Sequence, residues 1–136
     1  MGLFKQFKLP VHSDARFSLI PLEVTEQLLD FSIKRVYAIV KAKQPTGSHS
    51  HRQEKECFIC YQGSLTAVID ADGQGQREIE MTVGDAIYVG TYVWHHFKNF
   101  SPDSVLVALS STNYDVTRQD YIKDYEEFKK QVQLNH

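Results

Sequence analysis

An all-β barrel followed by one C-terminal helix is the fold predicted for this chain of 136 residues. Short runs rich in Val, Ile, Tyr and Phe follow one another at close spacing, with Gly, Asp, Ser and Pro between them. No repeat, low-complexity tract or linker interrupts them. Towards the end, the apolar spacing changes from two residues to three and four, the period of a helix.

Phe17–Glu23 and Ile33–Val40 are the first predicted strands, followed by His49–Arg52 and Glu56–Gln62. After the turn at Gln62-Gly63 comes Leu65–Asp70, which Asp70-Ala71-Asp72-Gly73 joins as a hairpin to Arg77–Thr82. Val83-Gly84-Asp85 leads into Ala86–Val89, then Val93–Asn99. Ser101-Pro102-Asp103 is a further turn, and Leu106–Ser110 is the last strand. From about Asp120, the residues Tyr121, Ile122, Tyr125, Phe128, Lys129 and Val132 outline one amphipathic helix packed outside the barrel. Asp120 and Asp124 near its start, with Lys129 and Lys130 near its end, suit the helix dipole.

Composition bounds the function. The length fits one domain over residues 1–136, and 42% hydrophobic with 24% charged residues is globular usage. A net charge of −2 argues against nucleic acid or a membrane surface as the partner. No apolar run approaches the roughly 18 residues of a membrane span. The start, Met-Gly-Leu-Phe-Lys-Gln, has no apolar signal region, and Gln6 stands where myristoylation wants Ser or Thr. The expected location is cytoplasmic. Cys57 and Cys60 invite a zinc or redox reading, but residues three apart on a strand face opposite ways, and no second pair completes a site. They read as small hydrophobes in a reducing compartment.

The chemistry concentrates in His49-Ser50-His51, Glu56 and Gly63, with Gly84-Asp85, His95 and Asn99 downstream. Histidines two apart on a strand share a face. This spacing resembles the two motifs of the cupin superfamily, whose fold is a jelly-roll barrel. Neutral imidazoles bind divalent metals, and three His with one carboxylate is a sound ligand set. An imidazole is equally suited to acid/base work at neutral pH. On the strand at Ile33, alternation puts Arg35 and Tyr37 on one face with Ile33 and Ile39, where they line either a ligand cavity or a solvated surface.

The flanks are more specific. Phe31-Ser32-Ile33-Lys34-Arg35-Val36-Tyr37, the His pair, Tyr88-Val89-Gly90, Val93-Trp94-His95, Asn113-Tyr114-Asp115 and Asp120-Tyr121-Ile122 occur in the order of the nucleotide-sugar 3,4-ketoisomerases. The chain resembles that family from about Phe17 to Lys130. The resemblance implies a metal-free and cofactor-free cupin enzyme acting on dTDP-4-keto-6-deoxyglucose. Its 3-keto product is taken up by an aminotransferase and an acyltransferase for surface glycans such as lipopolysaccharide O-antigen, or for antibiotics. It further implies a homodimer that exchanges N-terminal strands, alone or as one domain of a longer protein fused to an acyltransferase. Carried over, His49 and His51 move the protons, with Tyr37 as their hydrogen-bonding partner. Spacing does not say which His does which; His51 is the favoured base. Arg16 and Arg35 are the candidates for the diphosphate, and Trp94, Tyr88 or Tyr92 for an apolar wall against thymine or hexose. His95 and Lys98 are the remaining expected substrate contacts, while His96 is expected at the surface.

Two departures stand out. Ser50 replaces the usual Ala, and Glu56 replaces a more usual Gln, which restores a full cupin ligand set. Three rivals remain open. They are a metal-dependent oxygenase using His49, His51, Glu56 and His95; a sugar-binding sensor domain; and a nucleotide-sugar 3,5-epimerase, which needs a His–Asp dyad whose Asp the sequence does not reveal.

Overall fold

The computed structural model describes residues 3–25 and 29–134. The larger sheet contains β1 (Phe4–Lys8), β4 (Arg35–Val40), β6 (Glu56–Gln62), β9 (Asp85–Val89) and β11 (Val105–Ser110). Its order is β1-β9-β6-β11-β4, antiparallel throughout. The smaller sheet contains β7 (Ser64–Asp70), β8 (Arg77–Thr82) and β10 (Trp94–Lys98), in the order β10-β7-β8. Two short ladders complete the fold: β5 (Ser50–His51) with β12 (Tyr121–Ile122), and β2 (His12–Ser13) with β3 (Ser18–Leu19). The architecture is the expected jelly roll.

Alternation decides what each face does. Phe58, Ile87, Leu106 and Ala108 of the larger sheet pack against Leu65, Ala67, Ile69, Met81 and Phe97 of the smaller one, forming the core between them. Each large apolar side chain buried there stabilises the fold by roughly 1.5–3 kcal/mol. The opposite face of the larger sheet buries Cys57, Ile59, Ala86 and Tyr88 under Leu9, Leu29 and the half-buried Ile20, Leu22 and Phe31. This double burial explains why Glu56–Cys60 shows no polar alternation. Cys57 and Cys60 are free thiols on opposite faces, as their spacing requires.

Turns behave as their sequences dictate. Gly63 joins β6 to β7 at φ 74°, where a Cβ would lie 3.0 Å from the Cα of Ser104. Asp70 Oδ1 accepts from the amides of Asp72 and Gly73 at 3.1 and 2.7 Å, which closes the hairpin.

The C-terminal helix is shorter than its apolar spacing suggests. It covers α1 (Tyr125–Leu134), capped by Asp124, whose Oδ2 accepts from the Glu127 amide at 3.1 Å. Tyr121 and Ile122 belong instead to β12, so Asp120 is not a helix-start residue. Lys129 and Lys130 lie mid-helix, leaving no basic residue in the last turn. Phe128 and Val132 bury against Trp94 and Ile122. The predicted strand Phe17–Glu23 shrinks to Ser18–Leu19, paired with His12–Ser13 in an exposed ribbon. β1 was not predicted, because Phe4 and Phe7 do not alternate; it forms by adding to the edge of β9.

Candidate active site

The site lies where β5 meets the two sheets. His49 and His95 exchange backbone hydrogen bonds of 3.2 and 2.9 Å. Directly opposed residues project to the same face, and their rings meet with centroids 4.6 Å apart. His51 shares that face, its ring 4.7 Å from His49 and 5.7 Å from His95. Across the larger sheet, Arg35, Ser110 and Glu56 are register partners on β4, β11 and β6, and Tyr37 follows Arg35 by one alternation. A cavity of about 50 Å³ opens among Tyr37, Thr46, His49, Phe58 and His95.

Glu56 links the cluster. Its Oε1 lies 3.5 Å from His51 Nε2 and 3.8 Å from His95 Nε2, and its Oε2 accepts from the Tyr37 hydroxyl at 2.5 Å. Behind His51, Asp120 Oδ2 stands 3.1 Å from Nδ1 and Glu54 Oε1 stands 3.6 Å away. Between two carboxylates Nδ1 must be a donor, so it carries a proton. Asp120 is itself fixed by the amides of Gln53 and Glu54, at 2.6 and 3.1 Å. Arg35 Nη2 and the Ser110 hydroxyl donate to Glu54 Oε2 at 3.0 and 2.7 Å. His95 Nδ1–H donates to the Val93 carbonyl at 2.9 Å, leaving the Nε2 lone pair aimed at Glu56.

These surroundings separate the two histidines of the pair. Burial alone would lower the His51 pKa, but Asp120, Glu56 and Glu54 overcome it and raise it to about 9. Burial and the neighbouring His95 and His51 press His49 down to about 2. His95, fully enclosed, is lowered by burial to about 4. Glu56 resists its own burial because the protonated His51 and the Tyr37 hydroxyl hold it ionised, at about 2. Burial and the Glu56 charge push the Tyr37 phenol far above its ordinary value, so it stays a donor. Two imidazoles in contact, one neutral and one cationic, are an acid and a base already assigned.

The donor set also suits a divalent cation. One ligand atom each of His49, His51, Glu56 and His95 lies within 4.8 Å of the others. His51 Nε2 and His95 Nε2 are buried without a hydrogen-bond partner. Three imidazole nitrogens and a carboxylate oxygen so placed fit such an ion.

Several expected substrate contacts lie elsewhere. Tyr88 is on the far face of the larger sheet, its hydroxyl bound to Asp30 at 2.5 Å. Trp94 and Tyr92 pack beneath α1. Lys98 faces outward and pairs with Glu78 at 2.8 Å. Arg16 is exposed in the β2–β3 turn, bound to Asp14 at 2.7 Å. His96 is half-buried, with Nδ1 3.0 Å from the Ser48 hydroxyl. Arg35, Tyr37, His49, His51 and His95 do come together. Asp120, Glu54 and Tyr121 were missed. Tyr121 lies against both histidines, with ring centroids 4.8 Å from His49 and 4.5 Å from His51. The Asp of a His–Asp dyad, which the sequence did not reveal, is Asp120.

Residues 4–133 match the family model described as FdtA: WxcM-like, C-terminal. The TDP-4-oxo-6-deoxy-α-D-glucose-3,4-oxoisomerase of Aneurinibacillus thermoaerophilus is 39% identical over 122 residues, covering 88% of this chain and 85% of the relative. Among solved structures, the TDP-quinovose 3,4-ketoisomerase WlaRB of Campylobacter jejuni superposes with a TM-score of 0.80 at 33% identity, covering 93% of this chain and 97% of that one. A histidine-to-asparagine mutant of the 3,4-ketoisomerase QdtA of Thermoanaerobacterium thermosaccharolyticum, in complex with TDP-4-keto-6-deoxyglucose, gives 0.83 at 28% identity, with coverage of 96% and 94%. With nearly its whole length matched, the chain belongs to the FdtA, WxcM-like C-terminal family.

Proposed function

We propose that this chain is a sugar 3,4-ketoisomerase that converts dTDP-4-keto-6-deoxyglucose into a dTDP-3-keto-6-deoxyhexose by proton transfer. The observation that carries this reading is the His49 ring, which lines the cavity with Tyr37, 4.7 Å from the His51 ring, whose Nδ1 is held 3.1 Å from Asp120; their surroundings keep His49 neutral and His51 protonated. The carbonyl at carbon 4 acidifies the proton on carbon 3. His49, neutral, takes that proton while His51 gives its own to the carbonyl oxygen, and an enediol forms. His51 then takes the proton of the carbon 3 hydroxyl, and His49 delivers its proton to carbon 4. The pair carries one proton throughout, so two imidazolium ions never face each other. This reverses the expectation that His51 is the base.

Tyr37, held protonated, steadies the oxygens, and Asp120 holds the His51 ring. Each positioned acid or base contributes roughly 10²–10⁴-fold. The anionic substrate raises the basicity of His49 as it binds. A 3-keto product suits an aminotransferase and then an acyltransferase, in the making of 3-amino dideoxysugars for surface glycans such as O-antigen. A cytoplasmic homodimer fits this role; the edge of β9 that β1 occupies is a seat that a partner's strand could take.

A second reading draws on the two unpartnered Nε2 atoms. A divalent cation held by His49, His51, Glu56 and His95 would polarise the carbonyl oxygen. Proton NMR of dTDP-4-keto-6-deoxyglucose incubated with chelator-treated protein tests both. Appearance of the 3-keto isomer supports the proposal; activity seen only after a metal is restored supports the second reading, and no conversion under either condition overturns both.

A further inference from the structure

Next to the small cavity lies a wider pocket of about 360 Å³, lined by Thr46, Gly47, Ser48, His49, Arg118, Tyr121 and Lys123. His49 lines both, so the wider pocket leads directly to the reacting groups. Its charge differs from that of the inner site. Inside, Glu54, Glu56 and Asp120 surround His51 and Arg35, and the Arg35 guanidinium is already paired with Glu54. A diphosphate finds no uncompensated positive charge there. Arg16, also expected to bind it, is paired with Asp14.

Arg118 and Lys123 are different. Both are exposed, and neither forms an ion pair among the described residues. The Arg118 guanidinium carbon sits 5.5 Å from the centroid of the Tyr121 ring, and Lys123 Nζ sits 5.9 Å from it. That same ring rests against His49 and His51. The loop is held in place, since Arg52 Nη1 donates to the carbonyls of Gln119 and Tyr121 at 2.9 and 3.1 Å. Two unneutralised cations on one ring that itself touches the reacting imidazoles make a site for a multiply charged anion.

We propose that Arg118 and Lys123 bind the diphosphate of the nucleotide sugar in this outer pocket, which sets the hexose against His49 at the mouth of the inner cavity. This rests on the ketoisomerase reading of the site. The diphosphate's two cations then come from the segment that also supplies Asp120 and Tyr121, so one short stretch both holds the substrate and orients His51.

The test compares affinities for TDP and for thymidine, by calorimetry, in the full-length wild type and in the Arg118→Gln, Lys123→Gln double variant. Charge-assisted contacts of this kind predict a loss of about 10- to 100-fold for TDP. Thymidine affinity should stay within about twofold, which also reports that the variant is folded. The Arg118→Lys, Lys123→Arg exchange should recover most of the loss, and the TDP advantage should shrink as salt rises. A double variant that binds TDP as tightly as the wild type, in an enzyme that isomerises, would overturn this assignment alone. A wild type that neither isomerises the keto sugar nor binds TDP would instead overturn the reading beneath it.

Discussion

His51 Nδ1 stands 3.1 Å from Asp120 Oδ2, although the two residues are 69 apart in sequence. The ladder between β5 and β12 brings them together, and two backbone amides fix the carboxylate. The contact sets the tautomer and charge of one half of the proton relay. Asp120→Asn keeps the shape but offers Nδ1 a weaker, neutral partner. Its kcat should fall by roughly 10- to 100-fold while TDP affinity stays near that of the wild type. An unchanged kcat would separate Asp120 from the chemistry.

The shifted imidazoles make stability depend on pH, and the sign differs by residue. His51 is raised from 6.5 to about 9, so its contribution is complete below 6.5 and fades as pH rises through 9. His49 and His95 are lowered to about 2 and about 4, so below 6.5 the unfolded chain binds protons that the folded chain refuses, and stability falls. Glu56, lowered to about 2, adds a further loss as pH drops below 4.5. Thermal melting of chelator-treated protein should therefore peak between about pH 6 and 7. His51→Asn should flatten the alkaline limb; a wild type equally stable from pH 6.5 to 9 would contradict the charge assigned to His51.

Gly63 tests the turn rather than the chemistry. At φ 74°, with Asp103 Oδ1 2.9 Å and Ser104 Cα 3.0 Å from any added Cβ, the position has no room for a side chain. Gly63→Ala should cost about 1–3 kcal/mol of stability, read by urea denaturation, and leave kcat near normal. A variant as stable as the wild type would mean that the turn relaxes freely.

Tyr37→Phe removes the donor to Glu56 Oε2 and leaves a buried carboxylate oxygen unpartnered. It should lower stability by about 1–3 kcal/mol and also lower kcat, since the phenol faces the cavity. Loss of stability with kcat intact would confine Tyr37 to a structural role.

Much of the site was legible because strand alternation is local. His49 and His51 are two apart, Arg35 and Tyr37 are two apart, and the faces follow without knowledge of the fold. The same parity was enough to exclude two expected contacts: Trp94 and Lys98 lie one and three residues from His95, so they had to face the other way. Tyr88 fails likewise beside Val89, which packs in the inner core while Tyr88 packs outside. Asp120 was hidden for a different reason. Tyr121 and Ile122 fit the apolar period of the helix that follows, and a strand of two residues is too short to show a period of its own. Only its pairing with β5 decides the matter, and that pairing is long-range. Nor could sequence say that three carboxylates converge on His51, since Glu54 was not linked to the pair.

The most direct test of the account is isomerisation in deuterium oxide by the wild type, His49→Asn and His51→Asn. The relay predicts that wild type forms the 3-keto sugar with deuterium at carbon 4, because imidazole protons exchange with solvent. His49→Asn should neither form product nor exchange the carbon 3 proton, and His51→Asn should isomerise roughly 10²-fold more slowly or worse. Isomerisation at near wild-type rate by the doubly substituted protein would contradict it.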